Sequence, residues 1–410
     1  MTSHRKNKIL IVAYPNQGHI NPSLHFAHRL LNLGVDVTYS TSLSVIRRID
    51  KETTSHYGLT FAPFSDGQDN GHQPNTTLQQ FFTDFATYAV AEIITSATAA
   101  GKPFGHLVYT NVLPWAAKVA KAHGLESTLL WCQSATMLNI YYHYFNGYEG
   151  LISCNNNNPS FPINLPGLPS FTISDLPSFF SSSSPKEHDF ILEFMKEHID
   201  VIKVAPRILV NPFDELEIES IRAIEKLELL PVGPLVPLYD SLGCDLFDKP
   251  EEGYIEWLNT KPKSSVVYVS FGSLATLPID QAEEIASGLL ESRQPFLWVI
   301  RDGLQAEKLG NIEVLRKQGM IVGWCSQVEV LNHQAIGCFL THCDQREDVW
   351  KIGVKVKRRD GDGMVEGKEI KRCVEMVMED GEMWRNAKKW RELARQALDD
   401  GGRQRPSVLG

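Results

Sequence analysis

The chain has 410 residues, 43% of them hydrophobic and 22% charged, fractions that are typical of a globular protein and exclude disorder, collagen and coiled coil. Lys and Arg number 40 and Asp and Glu 49, and this net charge of −9 argues against nucleic-acid binding. The length predicts two or three domains, since one domain holds about 100–200 residues.

Cysteine usage and hydropathy favour a soluble cytoplasmic protein. The seven cysteines are widely spread and form no disulfide framework, which favours a reducing compartment. No stretch approaches the ~18 uninterrupted apolar residues of a membrane span. Only five apolar-leaning residues, 9–13, follow the polar N-terminus, too few for a signal-peptide core. We expect a cytoplasmic monomer with no membrane span and no nucleic-acid partner.

The N-terminal residues predict a strand, a helix and a second strand. Residues 8–13 are almost continuously apolar, which predicts a strand buried on both faces. Asn21 and Pro22 are typical of the N-cap and first residue of a helix, and Gly34 is suited to end it. Apolar residues recur at helical spacing between them: Ile20, Leu24, Ala27 and Leu31. Residues 35–39 return as a strand, so the unit is that of a parallel sheet.

The same pattern returns in the second half of the chain. Residues 265–270 predict a strand, 279–291 a helix and 296–300 a further strand. Two more short strands are predicted at 320–322 and 338–341. Residues 231–237 are rich in Pro and Gly and are interpreted as the linker. Two doubly wound α/β domains facing across a cleft fit this order, and such sheets bind ligands at the carboxyl ends of their strands.

His19 follows the first strand and is therefore a candidate catalytic base. The positive end of a helix dipole disfavours imidazolium, and a neutral imidazole can accept a proton from a hydroxyl group. The alternative is a histidine that only hydrogen-bonds a loop carbonyl. The loop Asn16-Gln17-Gly18 lacks the glycine fingerprint of a dinucleotide fold and the lysine of a P-loop. Oxidoreductase and nucleoside-triphosphatase functions are therefore disfavoured.

A second group of candidate residues lies between Trp324 and His342. Trp324 can stack on a flat base, Gln327 can reach sugar hydroxyls, and His342 ends a strand near a phosphate position. Cys338, His342 and Cys343 resemble zinc ligands, but no second ligand pair accompanies them, so we expect no metal. The basic run 355–359 is interpreted as a solvated strand edge, with a phosphate-binding patch as the alternative.

Residues 324–343 resemble the first half of the signature box of plant UDP-dependent glycosyltransferases. Five further segments resemble the same family. The Tyr109 segment and the Tyr141-Tyr142 pair resemble its crocetin, abscisate and anthocyanin 5-O-glucosyltransferase clade. These segments are Asn16-Gln17-Gly18-His19-Ile20-Asn21-Pro22, Tyr109 with Pro114 and Trp115, residues 210–217, residues 269–273, and Tyr141-Tyr142.

The resemblance implies the GT-B fold, with the acceptor in the N-terminal domain, the sugar nucleotide in the C-terminal domain, and no metal or cofactor beyond UDP-glucose as co-substrate. It implies that His19 is the catalytic base and that Trp324 stacks on uracil. The other donor-binding residues that it implies are Ser273 at phosphate, Cys325 through its backbone at the base, Gln327 at ribose, His342 at the diphosphate, and Asp344 and Gln345 at the glucose hydroxyls.

The chain departs from this family at two places. The family has an aspartate that orients the histidine, where this chain has Thr110, whose hydroxyl can accept the imidazole N–H but brings no charge. This change suits carboxylic-acid acceptors, which are already ionised. After His342-Cys343 the chain passes directly to Asp344-Gln345, so about half the box is absent. Losing two or three contacts of ~1.5–3 kcal/mol each lowers donor affinity by roughly 10² to 10⁶.

The predicted domains are an acceptor-binding domain at 1–236, a shortened UDP-sugar-binding domain at 250–383, and a C-terminal helix with an altered tail at 384–410. The predicted function is inverting transfer of glucose from UDP-glucose to a hydroxyl or carboxyl group of a small hydrophobic plant metabolite. Candidate acceptor-pocket residues are Phe81, Phe85, Trp131 and Tyr141, with ordinary core packing as the alternative. The alternative function is a non-catalytic acceptor-binding remnant, or a product of splicing or of a mis-joined gene.

Overall fold

The computed structural model describes residues 8–49, 58–65, 78–177, 180, 189–236, 251–272, 277–301, 303–342, 350–359 and 363–400. These residues divide into two compact units. The N-terminal unit contains 8–236 together with 393–400, and the C-terminal unit contains 251–392. Each has its own parallel sheet, so the predicted α/β class and the two Rossmann-like domains are confirmed.

The N-terminal unit is built on a seven-stranded parallel sheet in the order β3-β2-β1-β4-β5-β8-β9, with a separate two-stranded antiparallel pair, β6 and β7. Its strands are β1 (Lys8–Val12), β2 (Asp36–Ser40), β3 (Thr60–Phe61), β4 (His106–Thr110), β5 (Glu126–Trp131), β6 (Pro162–Ile163), β7 (Phe171–Thr172), β8 (Arg207–Val210) and β9 (Glu228–Pro231). Its helices are α1 (Gln17–Asn32), α2 (Leu43–Ile46), α3 (Leu78–Ala99), α4 (Pro114–Ala122), α5 (Ala135–His143), α6 (Glu149–Ser153), α7 (Asp189–Val204) and α8 (Asp214–Arg222).

The central strands of this sheet are covered on both faces. In β1, the four residues after Lys8 are all buried, and β4 is equally buried after His106. Strands β1 and β4 pair in parallel, with Val12 opposite Tyr109, so their carboxyl ends lie side by side. The segments that follow these two strands are therefore neighbours; one leads to His19 and the other contains residues 111–113.

Helix α1 begins five residues earlier than the sequence predicted. Asn16, not Asn21, is the N-cap, and its side chain accepts a hydrogen bond from the backbone N–H of Gly18. Pro22 lies inside the helix. The early start places His19 within the first turn of the helix. The predicted end is confirmed: Gly34 follows the helix with a left-handed φ of 79°.

The segment predicted to link the domains is held against the N-terminal unit. Pro231 is the last residue of β9, and the backbone N–H of Leu235 donates to the side-chain oxygen of Asn211 at 2.9 Å. Arg29 of α1 donates from its two terminal nitrogens to the carbonyls of Val232 and Pro234. Residues 232–236 are therefore part of the first unit.

The C-terminal unit has a four-stranded parallel sheet in the order β12-β11-β10-β13. The predicted strands and the helix at 279–291 are confirmed with small shifts at their ends. The strands are β10 (Val266–Val269), β11 (Phe296–Val299), β12 (Met320–Val322) and β13 (Ile336–Leu340). The helices are α9 (Tyr254–Asn259), α10 (Ile279–Ser292), α11 (Gly303–Glu307), α12 (Ile312–Gln318), α13 (Gln327–Asn332) and α14 (Gly367–Glu379). A last helix, α15 (Gly381–Asp400), begins in this unit, and its residues 393–400 belong to the N-terminal unit.

Strand β13 lies at the edge of this sheet and is incompletely covered. Among its five residues only Cys338 is buried, whereas all four residues of β10 are buried. A cavity of about 1010 Å³ runs along β13 and is also lined by residues of α14 and α15. Within the described ranges, no helix combines the length and the apolar character needed to cross a membrane.

Candidate functional site

His19 occupies the third position of α1, just beyond the carboxyl end of β1. Its position follows from the sequence Asn16-Gln17-Gly18, because the Asn16 side chain caps the helix and the chain enters the first turn at once. The Tyr14 ring packs edge-on against the imidazole, with ring centroids 5.3 Å apart. The residue remains partly exposed. His19 thus lies, partly exposed, at the edge of the sheet where parallel α/β folds bind ligands.

The electrostatic surroundings of His19 keep its imidazole neutral. Burial lowers its pKa from 6.5 to about 4, and the N-terminal end of a helix also disfavours positive charge. The Nδ1 atom is buried and has no hydrogen-bond partner among the described residues. At neutral pH the ring is therefore uncharged and able to accept a proton, although a low pKa makes it a weak base.

Thr110 does not make the contact with His19 that the sequence suggested. Its hydroxyl oxygen accepts the backbone N–H of Tyr14 at 2.9 Å, and the side chain is fully buried. A threonine oxygen is attached to Cβ, whereas a carboxylate oxygen reaches one bond farther. The hydroxyl therefore holds the loop that precedes α1, and it reaches the histidine only through the backbone of Tyr14.

The aromatic residues predicted for the acceptor pocket lie in different environments. Trp131 is fully buried and donates its indole N–H to the carbonyl of Ser134, and Tyr141 packs edge-on against it at 6.1 Å. These two side chains are in the core, the alternative weighed for such aromatic spacing. Phe85 is 51% exposed on α3, and its pocket role stays a prediction. The side chain of Phe81 lies outside the described residues.

The C-terminal unit places Trp324 two residues beyond β12. The indole is partly exposed, and the guanidinium carbon of Arg301 lies 5.4 Å from its ring centroid. Sequence reasoning missed Arg301. The available signal was its position two residues after β11, because parallel strands bring such residues to one edge of the sheet. A cation over an indole face stabilises the ring's position by about 0.5–1 kcal/mol at an exposed site.

The backbone that carries Trp324 is held by Tyr254 of α9. The Tyr254 hydroxyl donates to the Glu329 carboxylate at 2.8 Å and accepts the backbone N–H of Ser326 at 3.3 Å. Cys325 is buried, with its sulfur 3.5 Å from the hydroxyl of Tyr268. The Cys325 side chain therefore faces the core, which leaves only its backbone for a ligand.

The other predicted donor residues that the structure describes are exposed. Gln327 is the first residue of α13, and His342 follows β13 by two residues. Gly272, which follows β10, has a left-handed φ of 80°, and a Cβ atom added there would lie 3.2 Å from Cε1 of His342. The neighbouring strands β10 and β13 thus bring the backbone of Gly272, which has no side chain, close to the His342 ring. Ser273, Asp344 and Gln345 lie outside the described residues.

Metal-ligand side chains do not cluster in the described part of the chain, where no three His, Cys, Asp or Glu side chains lie close enough to hold an ion. Cys338, a candidate zinc ligand, is buried, and burial raises the pKa of its thiol to about 12. His342, by contrast, is exposed. The chemistry offered is thus that of a neutral imidazole in one unit and an indole with a histidine in the other.

Two parallel α/β units that present such groups at their carboxyl edges are typical of the GT-B class of group-transfer enzymes. A family model described as "UDP-glucoronosyl and UDP-glucosyl transferase" matches residues 201–349. UDP-glycosyltransferase 75C1 of Solanum lycopersicum is 45% identical over 449 aligned positions, which cover 96% of this chain and 95% of the relative.

Two further proteins agree with this class. The chloroplastic crocetin glucosyltransferase of Gardenia jasminoides is 43% identical, with 97% of this chain and 95% of the relative covered. The crystal structure of Os79 from O. sativa in complex with UDP superposes with a TM-score of 0.81 and 26% identity, covering 96% of each chain. The chain belongs to the plant UDP-dependent glycosyltransferase family and has its GT-B fold.

Proposed function

We propose that the protein transfers glucose from UDP-glucose, with inversion, to a hydroxyl or carboxyl group of a small hydrophobic plant metabolite. The observation that carries this proposal is the neutral, partly exposed imidazole of His19 in the first turn of α1, at the carboxyl edge of the sheet. The family membership supports the donor class, because relatives of this chain are named as glucosyltransferases.

In the proposed reaction an acceptor oxygen attacks C1 of glucose as the bond between C1 and the UDP oxygen breaks, and UDP leaves with the electron pair. For a hydroxyl acceptor, His19 accepts the proton that the oxygen loses. For a carboxylate acceptor there is no proton to remove, and His19 only orients the nucleophile. Attack from the side opposite UDP inverts the configuration at C1.

The surroundings of His19 favour the carboxylate over the hydroxyl. A base with a pKa of about 4 gains little from taking the proton of a hydroxyl group. Thr110 adds no negative charge that would stabilise an imidazolium, since its hydroxyl is neutral and accepts the Tyr14 N–H. The relative from Gardenia is named for crocetin, a dicarboxylic acid. We therefore propose carboxylic acids as the preferred acceptor class.

The donor would be bound by residues at the carboxyl edge of the second sheet. We propose that Trp324 stacks on uracil, with Arg301 on its ring, and that the Cys325 backbone contacts the base. Gln327 would meet ribose, and His342 the diphosphate beside the bare backbone of Gly272. Ser273, Asp344 and Gln345 complete the proposed set for phosphate and glucose. No metal or other cofactor is part of the proposal.

A second candidate function is acceptor binding without catalysis. The half-covered strand β13 and the cavity beside it are the observations that favour it, because His342 follows that strand. The 449 aligned positions shared with the tomato relative also exceed the 410 residues of this chain, so gaps fall opposite residues of the relative. We propose that one gap lies between Cys343 and Asp344, within the donor site.

The two functions are separated by one experiment with two measurements. The purified chain is incubated with UDP-glucose and either crocetin or the phenolic flavonol quercetin, and glucosides are quantified by mass spectrometry. The anomeric coupling in the proton NMR spectrum of the product reads its configuration, and His19→Ala is the control. A β-glucoside of either acceptor from the wild-type chain supports the transferase, and His19→Ala should lose more of the quercetin product than of the crocetin product. Binding of crocetin with no glucoside formed supports the acceptor-binding protein.

The cellular compartment and the oligomeric state of the protein are also proposals. We propose that the protein acts in the cytoplasm as a monomer, although the relative from Gardenia is named as chloroplastic. A fluorescent fusion in leaf cells tests the compartment, and light scattering of the purified chain tests the oligomeric state. Fluorescence confined to plastids would overturn the first of these proposals.

A further inference from the structure

A second histidine, His198, lies at the same edge of the N-terminal sheet as His19. It belongs to α7 and is only 1% exposed. Its imidazole lies flat against the ring of Tyr109, with ring centroids 6.2 Å apart and an angle of 6° between the planes. Tyr109 is the residue of β4 that stands opposite Val12, and the chain continues from Val12 to His19. The ring on which His198 stacks therefore lies beside the strand that leads to His19.

The tautomer of His198 is set by the backbone of Val112. The Val112 N–H donates to Nε2 of His198 at 2.7 Å, so Nε2 carries the lone pair and the hydrogen of the neutral ring is on Nδ1. Val112 has a φ of 73°, in the left-handed region that a β-branched residue rarely adopts. Backbone strain of this kind persists where the surrounding fold imposes it, and it is concentrated at functional sites.

The Nδ1–H group of His198 is a buried donor without a partner among the described residues. Buried N–H groups are nearly always hydrogen-bonded, so this donor calls for an oxygen acceptor that the described residues do not supply. Burial, with a smaller contribution from His19, lowers the pKa of His198 to about 3. The two rings are therefore both neutral at neutral pH. His198 offers a fixed hydrogen-bond donor, and His19 offers the proposed base.

We propose that His198 is a second acceptor-binding residue, whose Nδ1–H donates a hydrogen bond to one oxygen of a carboxylate acceptor while the other oxygen attacks the sugar. The inference rests on the proposed function and specifies its acceptor class. A carboxylate has two oxygens on one carbon, so one can accept from His198 while its neighbour stays free. A phenol has a single oxygen at the reacting carbon, so the atom that accepts from His198 is also the atom that must attack the sugar. A phenolic acceptor therefore gains less from the His198 hydrogen bond.

Two single substitutions separate the binding role of His198 from its structural role. In His198→Gln the side-chain oxygen takes the position of Nε2 and keeps the bond with Val112, but the Nδ1–H is lost. In His198→Asn the amide N–H takes the position of Nδ1, and the bond with Val112 is lost. We expect the glutamine variant to bind crocetin roughly tenfold or more weakly, because a hydrogen bond to a charged group is lost. The asparagine variant should lose less affinity for crocetin, because it keeps an N–H donor at the position of Nδ1.

Binding is measured by titrating crocetin and quercetin into the wild-type chain and both variants, without UDP-glucose. Nitrogen-15 NMR of the histidine rings reads the tautomer of His198 and the shift of its Nδ1 when crocetin is added. A weaker binding of crocetin by the glutamine variant, with quercetin affected less, supports the inference. Unchanged crocetin affinity in that variant, or an Nδ1 shift unaffected by crocetin, overturns it.

The outcome is distinguishable from a failure of the proposed function. Crocetin binding that depends on His198, with no glucoside formed, contradicts only the proposed transfer. Glucosylation of crocetin at equal kcat/KM by the wild-type chain and the glutamine variant contradicts only the role of His198. If neither probe binds to the wild-type chain, the inference is wrong. Circular dichroism of both variants shows that a loss is not due to unfolding.

Discussion

The two units of this chain use the same parallel α/β construction, but they complete it to different extents. In the N-terminal sheet, β1 and β4 are flanked by further strands, and nearly all their residues are buried. In the C-terminal sheet, β13 has one neighbour, a single buried residue and a cavity along it. Parallel sheets are normally covered on both faces. The difference teaches that the central strands of the N-terminal sheet are covered on both faces, while the described part of the C-terminal sheet leaves β13, the strand before His342, half covered.

The largest expected effect on the difference between the two units comes from completing the C-terminal unit. Inserting the tomato relative's segment between Cys343 and Asp344 should raise UDP-glucose affinity by roughly 10² or more, since several charge-assisted contacts are restored. Calorimetry with uridine, UDP and UDP-glucose on both chains measures it, and uridine should change least because Trp324 is present in both. Micromolar UDP-glucose binding by the unaltered chain would show that the existing residues suffice.

The N-terminal unit is probed by removing the proposed base, His19. His19→Ala should lower kcat/KM for quercetin by roughly 10², the lower end of the usual contribution of general base catalysis because the pKa of His19 is low, and for crocetin by less than about tenfold. Initial rates at saturating UDP-glucose measure both. Equal losses for the two acceptors would contradict the argument that an ionised carboxylate needs little base catalysis.

The pH dependence of stability should come mainly from the N-terminal unit. The folded-state pKa of His198 is about 3 against 6.5 unfolded, so the unfolded chain binds more protons between these values. Stability is therefore fully present above pH 6.5 and is lost as the pH falls below it. At pH 5.0 the loss for this residue is about 2 kcal/mol.

Urea unfolding at pH 7.5 and pH 5.0 measures this loss. His198→Phe keeps a ring beside Tyr109 but cannot titrate, so its stability should depend less on pH than that of the wild-type chain. The difference between the two proteins isolates His198 from the other histidines. Identical pH dependence in both would contradict a neutral buried imidazole at this position.

Hydrogen exchange compares the two sheets directly. The amides of β13 should exchange at least about tenfold faster than those of β4, which corresponds to about 1.4 kcal/mol less protection for an edge strand with little cover. Mass spectrometry of peptic peptides from native exchange measures both strands in one sample. Equal protection of β13 and β4 in the unaltered chain would mean that β13 is covered in solution. In the chain with the inserted segment, we expect the two strands to be equally protected.

The smallest expected effect concerns the indole in the C-terminal unit. Arg301→Leu removes the cation from the Trp324 ring, and we expect uridine affinity to fall by roughly two- to fivefold, in line with about 0.5–1 kcal/mol. Arg301→Lys keeps the charge and is the matched control. Tryptophan fluorescence during uridine titration measures the change. No change with leucine would show that the Trp324 ring needs no support from Arg301.

The strands and the main helices could be predicted because buried parallel strands are continuous apolar runs. The start of α1 could not, since Asn16 and Asn21 are both good N-caps, and only the folded chain shows which one accepts a backbone N–H. Thr110 matched a family position, but its reach and its competing bond to Tyr14 depend on tertiary geometry. Trp131 was a candidate by residue type, and its burial is decided by packing.

The residues that were missed share one property. His198 and Arg301 lie far in sequence from the groups they approach, 179 positions from His19 and 23 from Trp324. No local pattern marks such a pair. Their contacts arise because adjacent parallel strands bring separate loops to one edge of a sheet.

The left-handed backbone of Val112 has a consequence for protein engineering. A residue held in that region costs about 1–3 kcal/mol, which glycine would largely recover. A selection for thermal stability alone should therefore favour Val112→Gly. The same change would free the loop whose N–H fixes the ring of His198. Variants that gain melting temperature at this position should accept a broader set of acceptors, so heat tolerance and selectivity are coupled through one dihedral angle.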